Sequence, residues 1–160
     1  MYPVSLGYDE AMRRIKQLLK NGHDAEALLT SVFTFEKTVR RMLRFYAVRR
    51  GFTSKQSAIL FSKMGFHQLK DVWPCFEAQN RNLSAMVGEQ IWHKVLAAVS
   101  MRNKIVHGEQ VFKLATCRTE AENVLAALDS QRNNALRDVK FDGWSRLPVR
   151  VKPRVGWHAP

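Results

Sequence analysis

The chain has 160 residues, which is enough for one domain with its own core and short for two. Its formal net charge of +12 favours contact with a polyanion such as nucleic acid, although a basic surface can also serve only solubility. No stretch approaches the roughly 20 apolar residues of a membrane span, and the N-terminus lacks the pattern of a secretory signal. Because Cys75 and Cys117 show no paired spacing, we expect a cytoplasmic protein in a reducing compartment, without membrane contact.

Two helices are predicted in the first third of the chain. Residues 8–21 form an amphipathic segment that ends at Asn21-Gly22. Asp24 is the expected N-cap of a longer helix, which Gly51 ends after about 25 residues. Apolar residues recur along this helix at alternating steps of four and three, as in a helix that buries one face. They are Leu28, Val32, Phe35, Val39, Met42 and Tyr46. This second helix is the predicted spine of the fold.

The segment that follows is less regular and predicts two short helices. Thr53 is the expected N-cap of the first, and Gly65 is its expected end. The second spans 67–72 and is expected to end at Trp73-Pro74, because proline disfavours the helical conformation of the residue before it.

Two longer helices are predicted in the second half of the chain. The first runs from Ser84 to about Val106, with Gly88 as an internal weakness and Gly108 as a left-handed terminator just past its end. The stretch Thr119-Glu120-Ala121-Glu122 has the pattern of a capping box and is expected to start the last helix.

The composition changes in the last part of the chain. Apolar and basic residues alternate over 146–155, but Pro148 and Pro153 favour an extended tail, mobile or draped over another surface, rather than an edge strand. No pair of strands is indicated elsewhere. We therefore predict an all-α protein, with an antiparallel bundle of four or five helices over 1–142 and an extended basic C-terminal tail over 143–160.

The most informative stretch is Arg102-Asn103-Lys104-Ile105-Val106-His107-Gly108. The apolar stripe of the preceding helix, extended by four residues, leads directly to Arg102 and Asn103. An unpaired guanidinium in a dry helix interface costs several kcal/mol, so Arg102 is expected where the seam opens to water, a partner chain or an anion. This stretch is the candidate site.

The pattern Arg102-Asn103-x-x-x-His107-Gly108 in a small helical chain resembles the HEPN superfamily (higher eukaryotes and prokaryotes nucleotide-binding domain). The resemblance rests on about seven residues and on the helix layout over roughly 8–140. It implies a metal-independent endoribonuclease that forms a homodimer, so that two motifs meet in one cleft. Many such proteins are toxins of toxin–antitoxin or phage-defence systems, which implies a cognate antitoxin or defence partner, and others are catalytically silent.

The residue types suit RNA cleavage without a metal. An imidazole titrates near neutral pH, so His107 can act as general base and acid towards the 2′-hydroxyl. The Arg102 guanidinium can donate two parallel hydrogen bonds to the phosphate as that group gains negative charge. Asn103 is expected to hold the histidine tautomer or a phosphate oxygen. Attack by the 2′-oxygen leaves a 2′,3′-cyclic phosphate, so DNA should not be cut.

No other chemistry is indicated by the sequence. The remaining histidines show no ligand spacing with one another or with the cysteines, so a metal site is not expected. The sequence has no phosphate-binding loop and no glycine-rich dinucleotide turn, so no cofactor is expected either.

The spacing of the motif raises a geometric question. Five residues of an ideal helix turn through about 500°, which leaves Arg102 and His107 about 140° apart. Either the chain turns at Gly108 and swings His107 back, or His107 works with Arg102 of a second subunit. A structural role is the alternative, in which Arg102 caps carbonyls at the helix end and His107 is a surface residue favoured by the helix dipole.

Other charged residues are assigned supporting roles. Glu36 can form an ion pair with Arg40 four residues later, whereas the resemblance implies that it positions Arg102. The candidate RNA-binding cations are Arg40, Arg41, Arg44 and Lys104, although such residues are more often simply exposed.

Two other functions fit the sequence. One is a non-catalytic basic helical module that binds RNA or a partner protein, with steep salt dependence and no strand scission. The other is an inhibitor or accessory subunit whose tail docks on a partner. Deletion of 143–160 should abolish that docking, whereas a catalytic site in the bundle should tolerate it.

Overall fold

In the computed structural model of the chain, residues 7–154 are described. Over this range the chain is all-helical, with seven α-helices and no β-strand. The helices are α1 (Tyr8–Lys20), α2 (Asp24–Arg49), α3 (Ser54–Phe61), α4 (Phe66–Phe76), α5 (Leu83–Val87), α6 (Glu89–Val106) and α7 (Leu114–Val139). The all-α class is confirmed, and the helices exceed the four or five expected because three short ones lie between α2 and α6. None of the described helices has the length and apolar character needed to cross a membrane.

The chain divides into two compact units, and neither is one continuous stretch of sequence. Unit 1 contains the residues up to Phe35 together with Ser84–Asp142. Unit 2 contains Glu36–Leu83 and the residues from Gly143 onward. Helix α2 therefore supplies its first half to unit 1 and its second half to unit 2. The six residues of its predicted apolar seam are all buried, none of them more than 2% exposed.

Unit 1 is built from α1, the first half of α2, and α5, α6 and α7. Its buried side chains include Ile15 of α1, Val95 and Ala98 of α6, and Val124 and Leu128 of α7. Helices α6 and α7 pack against each other. The apolar periodicity of these segments therefore produces the buried face that it predicts.

Helix α7 begins at Leu114, and the capping box predicted at Thr119 is wrong. The Thr119 hydroxyl donates a hydrogen bond to the Ala115 carbonyl (3.1 Å), so this residue lies inside the helix. The additional first turn is stabilised by a tertiary contact, since Arg118 forms an ion pair with Asp24 of α2 at 2.9 Å. Such a contact has no local signal, so the sequence pattern placed the helix start about one and a half turns late.

The helix predicted from Ser84 is interrupted at Gly88, whose φ of +113° separates α5 from α6. Two α7 side chains bind the carbonyl groups at the end of α5. Ser130 donates to the carbonyl of the last α5 residue (2.5 Å), and Asn134 donates to the carbonyl before it (2.8 Å). Helix α6 is therefore a separate helix of 18 residues, and its C-terminal end carries the candidate site.

Unit 2 packs aromatic side chains between α2, α3 and α4. Trp73 of α4 is fully buried and meets Tyr46 of α2 edge-on, with ring centroids 5.6 Å apart. Pro74 lies inside α4, which continues to Phe76, so the break expected at Trp73-Pro74 is wrong. Only the last residues of the helix follow this proline, and burial of Trp73 outweighs the local cost.

The capping signal predicted at the start of α3 is confirmed. The Thr53 hydroxyl accepts a hydrogen bond from the Gln56 N–H (3.1 Å), and the Gln56 side chain accepts one from the Thr53 N–H (2.8 Å). These two bonds form a capping box, which satisfies donors that the first helical turn leaves unpaired.

The described part of the predicted tail, residues 143–154, has no regular secondary structure and is hydrogen-bonded to unit 2. The Arg41 guanidinium of α2 donates to the carbonyls of 143–145, at 2.7, 3.3 and 2.6 Å. Farther along, the Ser54 N–H at the start of α3 donates to the Arg150 carbonyl (2.9 Å). This part of the tail is therefore bound to its own chain.

The first residue of this segment is closely packed. Gly143 has a φ of +82°, and an added Cβ would lie 2.9 Å from the Thr38 methyl carbon. The rest of the predicted tail, 155–160, lies outside the described residues. Truncation at Gly143 would remove hydrogen-bond partners from unit 2, so we no longer expect it to be neutral.

Candidate functional site

Helix α6 carries the candidate site at its C-terminal end. Its buried residues Val95, Ala98 and Val99 lie on one face. The next positions on that face are Arg102 and Asn103, and both are half-buried. The apolar face of the helix therefore leads into a cation and an amide, as the residue spacing predicted.

The end of α6 is fixed by Gly108. This residue has a φ of +67°, a conformation that glycine adopts at little cost. Its N–H donates to the Ile105 carbonyl (3.1 Å), and the Glu109 N–H donates to the Lys104 carbonyl (2.9 Å), which are the paired bonds of a Schellman motif. The predicted left-handed terminator is confirmed, and His107 is the C-cap, with an exposed side chain.

The turn at Gly108 does not bring His107 round to Arg102. Helix α6 is regular through Val106, and His107 has φ −85° and ψ 0°, so the direction of its Cβ still follows the helix. The two side chains therefore leave the helix about 140° apart and about 7.5 Å apart along its axis. The chain changes direction only after the histidine. If one chain supplied both side chains to a phosphate, the backbone would have to turn before His107. The backbone does not turn there, so the structure does not provide this arrangement within one chain.

Three apolar side chains are exposed where α6 leads to α7. Val106, the last residue of α6, is 58% exposed, Val111 in the connection is 95% exposed, and Leu114 at the start of α7 is 57% exposed. They flank His107 in sequence, and exposed apolar side chains that form one contiguous patch are typical of a site of protein contact. This end of unit 1 therefore combines the motif with uncovered apolar surface.

Two of the predicted RNA-binding cations form hydrogen bonds within unit 2. Arg40 donates from Nε to the Phe61 carbonyl (3.0 Å) and from Nη2 to the Met64 carbonyl (2.8 Å), just after α3. Arg41 donates to the backbone of residues 143–145. These donors are used within the fold, and the assignment of Arg40 and Arg41 to an RNA groove stays a prediction. Their acceptors lie 21 to 104 residues away in the chain, beyond the reach of a local pattern.

The other supporting residues keep their assignments only as predictions. Arg44 is half-buried on α2, and its Nε is buried without a hydrogen-bond partner among residues 7–154. Lys104 is exposed in the last turn of α6. Glu36 is half-buried in unit 2, and Arg102 belongs to unit 1, so a role of Glu36 in positioning Arg102 stays a prediction.

A second polar cluster in unit 1 was not indicated by the sequence. The Tyr8 hydroxyl of α1 donates a hydrogen bond to the Asp129 carboxylate of α7, and the Arg132 guanidinium lies 4.3 Å from the centroid of the Tyr8 ring. Burial raises the pKa of Tyr8, and the hydrogen bond and negative charge of Asp129 raise it further, so the phenol keeps its proton. Tyr8 and Asp129 are 121 positions apart, so no short motif could have revealed the cluster.

Metal-ligating side chains are not grouped in the part of the chain that the structure describes, where no three His, Cys, Asp or Glu residues are placed to hold an ion. Cys75 is exposed and Cys117 is buried, and both are free thiols. Neither a family model, nor a curated protein, nor a solved structure matches the chain.

Proposed function

We propose that this protein is a metal-independent endoribonuclease that acts as a homodimer, with His107 of one subunit and Arg102 of the other at the same RNA phosphate. The observation that supports the proposal best is the end of α6, where a half-buried guanidinium and an exposed imidazole lie about one and a half turns apart. Since the two side chains leave the helix about 140° apart, two subunits reach one phosphate more easily than one chain does.

The resemblance to the HEPN superfamily supports the same arrangement. We take the helices to form an antiparallel bundle of HEPN type, with the residues from Gly143 onward as a basic C-terminal extension. In the proposed dimer the ends of two α6 helices meet, and the exposed side chains of Val106, Val111 and Leu114 are covered by the second subunit. Burial of these apolar groups would favour association and exclude water from the reacting phosphate.

The proposed reaction needs acid–base chemistry and charge stabilisation only. His107 removes the proton of the 2′-hydroxyl, and the 2′-oxygen attacks the adjacent phosphorus. The bond from phosphorus to the 5′-oxygen breaks, and that oxygen takes a proton from an imidazolium, which leaves a 2′,3′-cyclic phosphate and a 5′-hydroxyl. Arg102 stabilises the added negative charge with two parallel hydrogen bonds, and Asn103 holds the imidazole or a phosphate oxygen.

A cleavage assay on mixed RNA in the presence of EDTA tests the reaction. Arg102→Ala and His107→Ala should each lower the rate at least about 100-fold, the usual contribution of a general base or of one charge-stabilising group. His93→Ala is the matched control, because His93 is exposed elsewhere on α6 and should be dispensable. Single-stranded DNA should stay intact. RNA cleavage that survives in both site variants would overturn the proposal.

A mixture of the two inactive variants tests the shared site. In a dimer of Arg102→Ala with His107→Ala, one of the two sites combines the intact arginine of one chain with the intact histidine of the other. Random pairing after co-expression should therefore restore about a quarter of the wild-type rate. If each site were built within one chain, every site in the mixture would lack one residue, and no activity would return.

The resemblance further implies a toxin or defence effector that acts on RNA in the cytoplasm. Expression should then arrest growth, and His107→Ala should relieve the arrest. A cognate antitoxin or defence-system partner would bind the wild-type protein and restore growth. Arrest that persists with His107→Ala would separate toxicity from the proposed chemistry.

A non-catalytic basic module that binds RNA or a partner protein is the second candidate. The exposed position of His107 at the C-cap of α6 favours it, because a residue there can end the helix without any catalytic task. This candidate predicts RNA binding that weakens steeply with salt and leaves the RNA intact. Lys104, which is exposed beside the motif, would then contribute to binding and not to a rate.

A further inference from the structure

We propose that a cavity between α1 and α7 in unit 1 binds the phosphate groups of a small organic polyphosphate. The cavity has a volume of about 510 Å³, within the roughly 300–1,000 Å³ of ordinary small-molecule sites. Its lining includes Lys16 and Lys20 of α1, together with the cluster of Tyr8, Asp129 and Arg132 described above. The site is separate from the motif at the end of α6.

The two lysines supply positive charge that the fold leaves uncompensated. Lys16 and Lys20 are one helical turn apart and exposed, and neither forms an ion pair or hydrogen bond with any residue in the described part of the chain. The acidic residues of α1 lie in its first turn, and one of them, Glu10, is paired with Arg13 at 2.5 Å. Like charges at this spacing repel each other, so a bound anion would relieve the repulsion.

Arg132 adds a third cation from α7. Its guanidinium packs over the Tyr8 ring, and its Nε is buried without a hydrogen-bond partner among residues 7–154. The Nε itself is closed to a ligand, but a guanidinium that lines the cavity can donate hydrogen bonds from its outer nitrogens to phosphate oxygens. Asp129 lies one turn earlier on α7, but its carboxylate accepts the Tyr8 hydroxyl and forms no ion pair within the described chain. Arg132 is therefore available to a ligand.

The number of charges and the volume favour a polyphosphate over a single phosphate. One phosphate would fill only a small part of the 510 Å³, whereas a chain of phosphates could contact cations on both helices. Asp9 also lines the cavity, but it lies about 10 Å from Lys16 along the axis of α1, so it does not neutralise the lysines. The organic part of the ligand would occupy the remaining space, where Met12 offers an apolar contact.

Isothermal titration calorimetry with inorganic triphosphate and with ATP, at about 0.1 M salt, tests the proposal. We expect one saturable site per chain, with tighter binding of ATP because its organic part adds contacts. Arg132→Gln should weaken binding at least about tenfold, and Lys16→Gln and Lys20→Gln should each weaken it several-fold. Lys94→Gln is the matched control, since it removes the same charge from an exposed position of α6 outside the cavity and should bind as the wild type does.

Two results would overturn this proposal. Equal weakening in Lys16→Gln and Lys94→Gln would show attraction by net charge alone. The second result is that neither polyphosphate binds, whereas short RNA binds to the wild type and not to Lys16→Gln. That result would assign this surface to an RNA strand instead. Should Arg132→Gln fail to fold, as judged by circular dichroism, the variants of the two exposed lysines decide. The titration does not involve RNA cleavage, so its failure leaves the proposed ribonuclease untouched.

Discussion

Replacement of Gln131 by methionine should stabilise the protein. Gln131 lies on α7 and is fully buried, at 0% exposure. Its neighbours on the same helix face are Ala127, Leu128 and Ala135, all of them buried and apolar. Neither the amide nitrogen nor the amide oxygen of Gln131 has a hydrogen-bond partner among residues 7–154. Methionine is also unbranched and similar in length, and it carries no amide to satisfy.

The size of the effect follows from the unsatisfied amide. A buried polar group without a partner costs about 1–3 kcal/mol, whereas a volume-conserving apolar replacement usually costs little. We therefore expect Gln131→Met to raise the free energy of unfolding by about 1–3 kcal/mol. For a chain of 160 residues, each kcal/mol should raise the Tm by about 2–4 °C.

Urea denaturation followed by circular dichroism measures this change. The midpoint for Gln131→Met should rise while the slope of the free energy against urea stays constant, because the surface exposed on unfolding hardly changes. Gln90→Met is the control, since Gln90 is exposed on α6 and its replacement should stay within about 0.5 kcal/mol of wild type. A loss of more than about 1 kcal/mol in Gln131→Met would refute the reasoning, because it would mean that the amide binds an internal water.

Three further predictions concern unit 2. Glu77→Gln should lower the free energy of unfolding by about 2–3 kcal/mol at pH 7, because the buried carboxylate accepts hydrogen bonds at 2.8, 2.9 and 2.8 Å. Burial alone would raise the pKa of Glu77, but these bonds outweigh burial and hold the pKa below its usual value. The stabilisation that the carboxylate provides should therefore be complete above the unfolded-state pKa of about 4.3, and it should disappear as the pH falls through the folded-state pKa. Gly143→Ala should lower the free energy of unfolding by about 2–3 kcal/mol, because of its positive φ and the contact that a Cβ would make with α2. Urea denaturation measures both the Glu77 and the Gly143 variants. Arg41→Lys should loosen residues 143–154, because an ammonium cannot reproduce the guanidinium bonds to three carbonyls, and faster tryptic cleavage of that segment should reveal it.

Each of these three variants has a comparison that isolates its cause. Gly22 also has a positive φ, at +77°, but an added Cβ there meets nothing within 4 Å, so Gly22→Ala should cost only about 1 kcal/mol. Equal losses at Gly22 and Gly143 would contradict the role of the contact. A difference between wild type and Glu77→Gln that is as large at pH 3 as at pH 7 would contradict the role of the carboxylate. Unchanged cleavage in Arg41→Lys would mean that other bonds hold the segment.

Features that depend on neighbouring residues could be predicted from the sequence. Helix α2 was predicted because its apolar seam and the glycine after it are both local signals, and the seam is buried as expected. The cap at Thr53 and the helix end at Gly108 also rest on residues within one turn. Local hydrogen bonding determines these features, so short patterns were sufficient.

Features that depend on distant residues could not be predicted. Thr119 has the sequence of a capping residue, but the ion pair between Arg118 and Asp24 stabilises an earlier turn of α7. Pro74 would end an isolated helix, but burial of Trp73 continues α4 past it. In both cases a tertiary contact outweighs a local preference of about 1–3 kcal/mol.

The candidate site was predictable only in part, for the same reason. The sequence indicated which residues end α6, and the angle between Arg102 and His107 follows from helix geometry. The sequence could not show that Arg40 and Arg41 bind backbone carbonyls of unit 2, because those carbonyls belong to distant parts of the chain. Local spacing identifies a side chain's position on its helix, but not the group that it meets.

The discontinuous make-up of both units has a consequence for synthesis on the ribosome. Helices α3 and α4 emerge early, yet their unit is incomplete until the chain beyond Gly143 follows. Translation from Leu83 to Gly143 takes about 3–12 s at roughly 5–20 residues per second. During this interval the nascent chain exposes the aromatic surface around Trp73 that the finished protein hides, so we expect chaperones to bind this stretch while translation continues.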